Sequence, residues 1–421
     1  MNERISNWAG NVTFTAARLH RPTTVPELQA LVAGAERIHA LGTGHSFSRI
    51  ADSAGDLVTV AGLPPVMDVD TAAGTVTISA GLRYGELAPY LNDKGYALHN
   101  LGSLPHLSVA GACATGTHGS GMRNGGLATA VSAMELVNAD GELVVLRRGE
   151  DLFGAAAVGL GAFGVVTRLT LDILPTFEVE QYVYDGMPFA TLLGHFTEVM
   201  GAAYSVSAFT DWSGPTVRNV WVKRRVDEPL PPPEQWFGAV RADGPRHPVP
   251  AMPAENCTEQ LGVPGPWHAR LPHFRLEFTP SSGEELQTEY FVARGDAVAG
   301  LEALDAVRDR IAPVLQICEI RTIAADRLWL SPSYEQDSVG FHFTWVKDPA
   351  AVAPAVAAIE EQLAPFGARP HWGKVFAMAP DVVAERYPKL RDAAALARRH
   401  DPRGVFRNEM LDRYLITDGD E

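Results

Sequence analysis

An α+β protein of two domains is what three features of the sequence predict. Up to about residue 175, short β-patterned runs alternate with occasional helices and frequent glycine turns. Beyond it, longer runs alternate polar and apolar residues with period two, notably 315–323 and 340–346, as β-strands do. After about residue 375 the pattern turns helical, through 389–400. The divisions expected are therefore 1–175, 176–375 and a C-terminal segment, 376–421.

Taken in order, the elements are legible from their local chemistry. Thr24, with Pro26 just inside and Glu27 three residues on, is a capping box, and Leu28, Leu31 and Val32 give the helix an apolar face that ends near Gly34. Residues 37–41 form a short strand running into the turn Gly42-Thr43-Gly44-His45-Ser46. Runs 66–69 and 75–78 make one hairpin, and 134–137 and 143–146 another, joined through Asp140-Gly141. Between them, residues 101–126 hold mostly Gly, Ala, Ser, Thr and His, which reads as backbone approaching a bulky ligand rather than as a core element. Residues 167–174 alternate again and stop at Pro175. Eight prolines between 229 and 253 read as an extended excursion on the surface. Strand-like runs follow at 274–278, 289–292, 315–323 and 340–346, with a helix between the second and third.

The 421 residues carry 35 Lys and Arg against 50 Asp and Glu, a net charge of −15. That balance repels nucleic acid and anionic membranes and favours a small neutral or weakly charged ligand. With 46% hydrophobic and 20% charged residues, the chain is a folding one. It has no apolar run of membrane-spanning length and no signal-peptide core at its start, so the expectation is a cytoplasmic monomer. Cys113, Cys257 and Cys318 are too scattered for a disulfide framework, and His106, His118 and His342 lack metal-site spacing, so no metal is expected.

Gly159, Gly161 and Gly164 match GxGxxG, but the helix precedes these glycines and a β-branched strand follows, the reverse of a Rossmann unit. The turn 42–46 instead offers exposed N–H groups of the kind that bind pyrophosphate without a positive charge. The stretch 111–126, with Thr115, Thr117, His118 and Ser120, is a second such cradle. Two cradles suggest a dinucleotide held outside a Rossmann fold. In the second domain, alternation places Glu319 and Arg321 on one strand face, and His342 and Thr344 on a face of another, with Phe341, Phe343 and Trp345 pointing oppositely into a core. Taken alone, Glu319 with Arg321 is an ordinary surface ion pair, and Lys374 a solvated lysine.

Segments 38–48 (IHALGTGHSFS), 103–121 (SLPHLSVAGACATGTHGSG), 159–167 (GLGAFGVVT) and 401–408 (DPRGVFRN) resemble the FAD-binding domain of the vanillyl-alcohol oxidase, or PCMH-type, family. Within it, CEIRT, HFTW and HWGK resemble the cap domain of the alditol oxidases, a domain built on an antiparallel sheet. The resemblance implies that the segment 376–421 returns to the first domain and that His45 bonds covalently to the flavin 8α-methyl carbon. It implies that Gly42, Thr43, Gly44 and Ser46 cradle FAD, together with Ser103, Ser108, Ala110, Gly111, Thr115, Gly116, Thr117 and His118. Gly161, Gly164, Val165 and Val166 lie further along it. Relatives with a second tether place a cysteine where this chain has Leu104, so a single tether is expected.

The resemblance further implies that Arg321 and Lys374 hold the oxygen of a primary alcohol as its hydride leaves. Glu319 orients them, and Ser103, His342 and Thr344 read the remaining hydroxyls. His342 and Lys374 are both candidates to take the hydroxyl proton. The function implied is an FAD-dependent oxidase converting the terminal primary alcohol of alditols such as xylitol or sorbitol to the aldose, with hydrogen peroxide formed from dioxygen. The first-domain motifs fit an aldonolactone or sugar oxidase or dehydrogenase equally well. A non-catalytic polyol- or nucleotide-binding protein is the rival from another class.

Overall fold

The computed structural model describes residues 5–228, 230–279 and 283–416. Its first helix, Val25–Gly34, begins as the sequence predicts, with the Thr24 hydroxyl accepting from the Glu27 N–H. The Glu27 carboxylate, however, accepts from the Thr23 N–H at 2.8 Å, so the reciprocal arm of the capping box lands one residue early. Strand Ile38–Ala40 then pairs in parallel with Asp56–Val58, which pairs in parallel with Arg18–His20. This small sheet delivers the chain to the turn at 42–46.

Both expected hairpins form, and they join a five-stranded antiparallel sheet ordered Met67–Asp70, Thr75–Ser79, Val165–Asp172, Val131–Val137, Leu143–Arg147. Helix Asp151–Ala156 precedes the glycines 159–164 and strand Val165–Asp172 follows, the order that excludes a Rossmann unit. Gly164 is required here: its φ is +143°, and a Cβ would lie 2.6 Å from the Val137 carbonyl oxygen. The small-residue stretch 101–126 departs from expectation. It contains the helix Val109–Ala114, whose Val109, Ala112 and Cys113 are buried in the main core. Alanine favours helix, and side chains this small let a short helix pack where a larger one could not fit.

From Glu178 onward the chain builds a ten-stranded sheet among the described residues. Its centre runs Glu178–Pro188, Thr216–Arg225, Ser205–Thr210, Leu315–Ile323, Ser338–Trp345, Leu286–Ala293, each antiparallel to the next. One face carries Phe341, Phe343 and Trp345, all fully buried. They pack beneath helices Ala297–Asp305 and Pro349–Leu363, where a Cβ on Gly300 would come 3.2 Å from the Phe341 ring. The other face looks toward the first domain. Residues 274–278 form no strand; only the single bridge Cys257 to Phe274 is made. The reason is competition, because the N–H groups of His273 and Phe274 both go to the Ser103 carbonyl. The proline-rich excursion is likewise not confined to the surface. It adds the short edge strands Gln235–Trp236 and Ala239–Arg241 and then turns inward at Pro248 and Val249; its first proline, Pro229, lies outside the described residues.

Helices Pro380–Arg386 and Leu390–His400 lead to a C-terminal segment that closes the fold. Asp401 accepts from the N–H groups of Val405 (2.7 Å) and Phe406 (2.8 Å). The carbonyls thus presented take Ile38 N–H (2.8 Å) and the His39 Nδ1 (3.0 Å), and Asn408 donates to Ile50 and Asp52 carbonyls. The C-terminal motif therefore grips the strand that feeds the turn at 42–46. The three cysteines are buried and free, and among the described residues no helix is long and apolar enough to cross a membrane.

Candidate active site

Between the two sheets lies a cavity of about 2160 Å³, its open mouth included. It is lined from both sides, by the turn 42–46 and the 108–117 stretch on one and by strand residues such as Glu289, Glu319 and His342 on the other. One wall is backbone. Ser108 Oγ sits where a Cβ on Gly42 would come within 2.6 Å and one on Gly111 within 2.7 Å. The two glycines thus let the 42–46 turn and the start of helix Val109–Ala114 close on one another, forming a cradle that a side chain would fill. Gly161, with φ of +81°, continues it against His39, whose Nε2 would be 2.5 Å from a Cβ there. The donor set of this wall, backbone N–H groups with the hydroxyls of Thr43, Ser46, Ser108, Thr115 and Thr117, suits the pyrophosphate and ribose of FAD.

His45 stands in the cradle with its ring stacked on Trp8 at 5.5 Å and Nδ1 3.0 Å from the Thr43 hydroxyl. Burial first, then the neighbouring His106 and Lys374, push it down to about 4, so the imidazole is neutral at working pH. Of the other residues expected to contact the cofactor, Gly44, Ser103, Ala110, His118, Gly164 and Val166 also line the cavity. Gly116 and Val165 do not. Gly116 packs against Pro332, and Val165 joins a separate core with Leu28, Val32 and Phe406. His118 reaches the cavity, but its Nδ1 faces the Gly119 carbonyl (2.8 Å) and its Nε2 the Glu289 carboxylate (3.0 Å), which makes it part of the opposite, charged wall.

That wall is built by register. Glu289, His342 and Glu319 lie directly opposite one another across three adjacent strands, and Gln287, Thr344 and Ile317 form the next row. Arg321 is opposite Gly340, and the missing side chain lets its guanidinium cross to Glu289 Oε1 at 3.0 Å. A Cβ on Gly340 would sit 3.3 Å from that oxygen. Arg321 also reaches the Ser103 hydroxyl (3.4 Å), and its Nε lies 3.6 Å from Glu319 Oε1. Lys374 Nζ donates to Gln287 Oε1, which also meets His342 Nε2 at 3.1 Å.

The electrostatics follow from burial and pairing. Burial opposes ionisation of Glu289, but His118 and Arg321 override it and hold the carboxyl well below its usual range. Burial is likewise overridden at Glu319, by Arg321 and His273. Burial, followed by the opposing pull of nearby carboxylates and the repulsion of nearby cations, leaves His342 at about 3 and lowers Lys374 to about 8. The structure thus brings Ser103, Glu319, Arg321, His342, Thr344 and Lys374 to one cavity with His45. Sequence reasoning passed over Gln287, Glu289, His273 and His371, which line it too. The first two sit at alternate positions of one strand, the same period-two signal that exposed Glu319 and Arg321.

Comparison with known proteins adds two family models and full-length relatives. An FAD binding domain matches residues 16–147, and the D-arabinono-1,4-lactone oxidase family model matches residues 284–414. The chain is 53% identical over 414 residues to the alditol oxidase of Streptomyces sp. (strain IKD472 / FERM P-14339), covering 98% of this chain and 99% of that one. It is 29% identical over 428 residues to the L-gulono-1,4-lactone dehydrogenase of Mycobacterium tuberculosis, covering 97% and 98%. The crystal structure of cholesterol oxidase from B. sterolicum shares the fold with a TM-score of 0.78 at 16% identity, covering 98% of this chain and 96% of that one.

The shared cation gives a prediction about pH. With Arg321 present, both carboxyls titrate below their unfolded range. Their contribution to stability is therefore present above that range and lost only as the pH falls through the depressed values. In Arg321→Met the carboxyls stay buried with one cation fewer, which lifts them toward and above their unfolded values. Their contribution then survives only at acid pH and is lost as the pH rises. The melting temperature of the variant should fall relative to wild type between about pH 5 and about pH 8. A difference that stays constant across that interval would contradict the charge assignment.

Proposed function

The chain belongs to the alditol oxidase family of FAD-dependent oxidoreductases, and from that premise we propose that it oxidises the terminal primary alcohol of alditols to the aldose. The observation that carries the reading is the opposition of two walls, a glycine cradle with His45 facing two cations, Arg321 and Lys374, set among hydrogen-bonding side chains. Family membership sets aside the non-catalytic binding protein. We propose the same division along the chain, with 1–175 and 376–421 holding the cofactor and 176–375 the substrate.

Bound FAD supplies the hydride acceptor and returns the electrons to dioxygen, giving hydrogen peroxide. The residues of this chain do the rest. Lys374, lowered to about 8, has its neutral amine populated near working pH, so Nζ takes the hydroxyl proton and becomes the ammonium. His342 is the weaker candidate, because its one unpartnered nitrogen, Nδ1, is closed off from the cavity space. The new ammonium and the Arg321 guanidinium then hold the developing oxyanion, in a dry site where each charge acts far more strongly than in water. Ser103, Glu319 and Thr344 receive the remaining hydroxyls of a neutral polyol, recognised through hydrogen bonds alone.

A peroxide assay across a panel tests this directly. Xylitol and sorbitol should be turned over with higher kcat/KM than glycerol, since a short substrate leaves distant groups unpaired at about 1–3 kcal/mol each. The D-arabinono-1,4-lactone oxidase match over 284–414 favours a second reading, so aldonolactones belong on the panel; a preference for them overturns the alditol assignment.

His45 is proposed to carry the flavin covalently, and Leu104, at the position of a second tether, leaves it single. Acid precipitation should keep the yellow colour with the wild-type protein and release it from His45→Ala. Flavin released from the wild type would end the idea.

Lys374→Met should lower the anaerobic rate at which xylitol bleaches the flavin by on the order of 10²–10³-fold, with flavin content unchanged. The same substitution should abolish the rise of that rate with pH through about 8. A rate within about threefold of wild type, far short of the loss expected for a preorganised charge, would move Lys374 out of the chemistry.

A further inference from the structure

Glu319 is held from behind by two residues that no motif of the sequence singles out. On strand Thr216–Arg225, Lys223 is only 1% exposed. Its Nζ donates to the carbonyls of Leu271 (2.6 Å) and Pro272 (3.1 Å) and lies 3.0 Å from His273 Nδ1. Burial lowers Lys223 to about 7, against the opposing pull of Glu319. Below that value it is an ammonium with three donors and no acceptor, so Nδ1 then receives the third hydrogen and carries no proton of its own. On the far side of the ring, Nε2 lies 2.7 Å from Glu319 Oε1. An ionised carboxylate only accepts, so Nε2 must carry the ring's hydrogen. Both neighbours therefore demand the same tautomer.

The rest of the environment agrees. The other groups facing His273 are Arg321 and the rings of Phe209, Trp221 and Phe274, at 5.6, 5.1 and 6.4 Å. Burial, reinforced by the Lys223 charge, pushes His273 down to about 4, so a second proton on the ring is excluded at neutral pH. The backbone N–H groups of His273 and Phe274 both bond to the Ser103 carbonyl, at 3.1 and 3.2 Å. One loop thus sets the spacing between Ser103 on one wall and Glu319 on the other. The second oxygen of Glu319, Oε2, makes no hydrogen bond among the described residues, while the residue itself lines the cavity.

We propose that Lys223 and His273 are positioning residues for the substrate: Lys223, donating to Nδ1, and Glu319, accepting at Nε2, together lock His273 as the Nε2–H tautomer, and that hydrogen engages Glu319 Oε1 so that Oε2 is turned to a substrate hydroxyl. The role in substrate binding rests on the reading of Glu319 as a polyol ligand; the tautomer lock does not.

Two measurements on the flavin-loaded protein separate these. Nitrogen-15 NMR of the histidine side chains should show one ring with Nδ1 unprotonated and Nε2 protonated between about pH 5 and about pH 7, where Lys223 is charged and His273 is neutral. That signal should vanish in His273→Gln. In Lys223→Met, Glu319 still holds the hydrogen on Nε2, while the Nδ1 resonance shifts as its hydrogen bond is lost and the ring protonates at higher pH without the Lys223 charge. In kinetics, His273→Leu should raise the KM for xylitol by about tenfold or more, the cost of a freed buried carboxylate, while the reduction rate at saturation changes far less. His273→Gln, which can accept from Lys223 and donate to Glu319, should recover most of that loss. A wild-type His273 protonated on Nδ1 overturns the lock. An unchanged KM in His273→Leu, or a reduction rate and flavin content that fall as far as KM rises, overturns the positioning role. A wild-type protein that oxidises no polyol would refute the proposed function instead, and the NMR result would still decide the lock.

Discussion

The guanidinium of Arg321, shared between Glu289 and Glu319, is the constraint around which the charged wall of the cavity is arranged. Three ionised groups buried together are expensive to desolvate, and they persist only where each is paired and the geometry is fixed by something other than the charges. Here the fixing is done by the sheet. Register brings Glu289, His342 and Glu319 into line across three strands, and Gly340 leaves the gap through which Arg321 crosses. The reverse face of the same strands is locked by Phe341, Phe343 and Trp345 beneath two helices, so the strands cannot shift to relax the charges. Rigid apolar packing on one side is thus the condition for a dense ionic site on the other.

The glycine-lined wall obeys a different rule. It has few charges and depends on close approach, of Gly42 to Gly111 around Ser108 and of Gly161 to His39. Its support comes from the end of the chain, where Asp401 shapes a loop whose carbonyls hold Ile38 and His39. Residues hundreds of positions apart therefore share one short strand, and the turn carrying His45 inherits its position from them. The two walls meet through Ser103, whose carbonyl receives the N–H groups of His273 and Phe274 and whose hydroxyl meets Arg321.

Legibility in the sequence followed the range of the signal. The helix at Val25–Gly34 and both hairpins are written in local chemistry, in a capping residue, a turn dipeptide or an alternation, and each was readable. Glu319, Arg321, His342 and Thr344 were placed on the right faces because strand alternation is local too. What could not be read is what register decides. Nothing near Glu289 says that it will lie beside His342, and nothing near Lys223 says that its partner will be His273. The helix Val109–Ala114 was missed for the opposite reason: small residues serve close packing and close ligand approach alike, and the segment does both. Residues 274–278 carry a strand pattern, yet the Phe274 N–H is taken by the Ser103 carbonyl and the Arg275 N–H by the Asn256 carbonyl, a competition visible only in the fold.

A neutral polyol offers no charge for recognition, which makes the ionic density of this wall seem excessive until its histidines are considered. His273, His342 and His371 are all pushed to about 3 or 4, with burial the largest cause for each, and therefore stand neutral among fixed charges. A neutral imidazole between a cation and a carboxylate has its single hydrogen assigned by its neighbours, as His273 has between Lys223 and Glu319. The charges then act less as ligands than as orienting fields, deciding which atom donates and which accepts at each point of the wall. A substrate distinguished only by the order of its hydroxyl groups demands such a pattern, because a donor and an acceptor exchanged at one point leaves a buried group unpaired. Buried ion pairs that add little to stability can thus be retained for what they specify, a fixed polarity along a surface that meets an uncharged molecule.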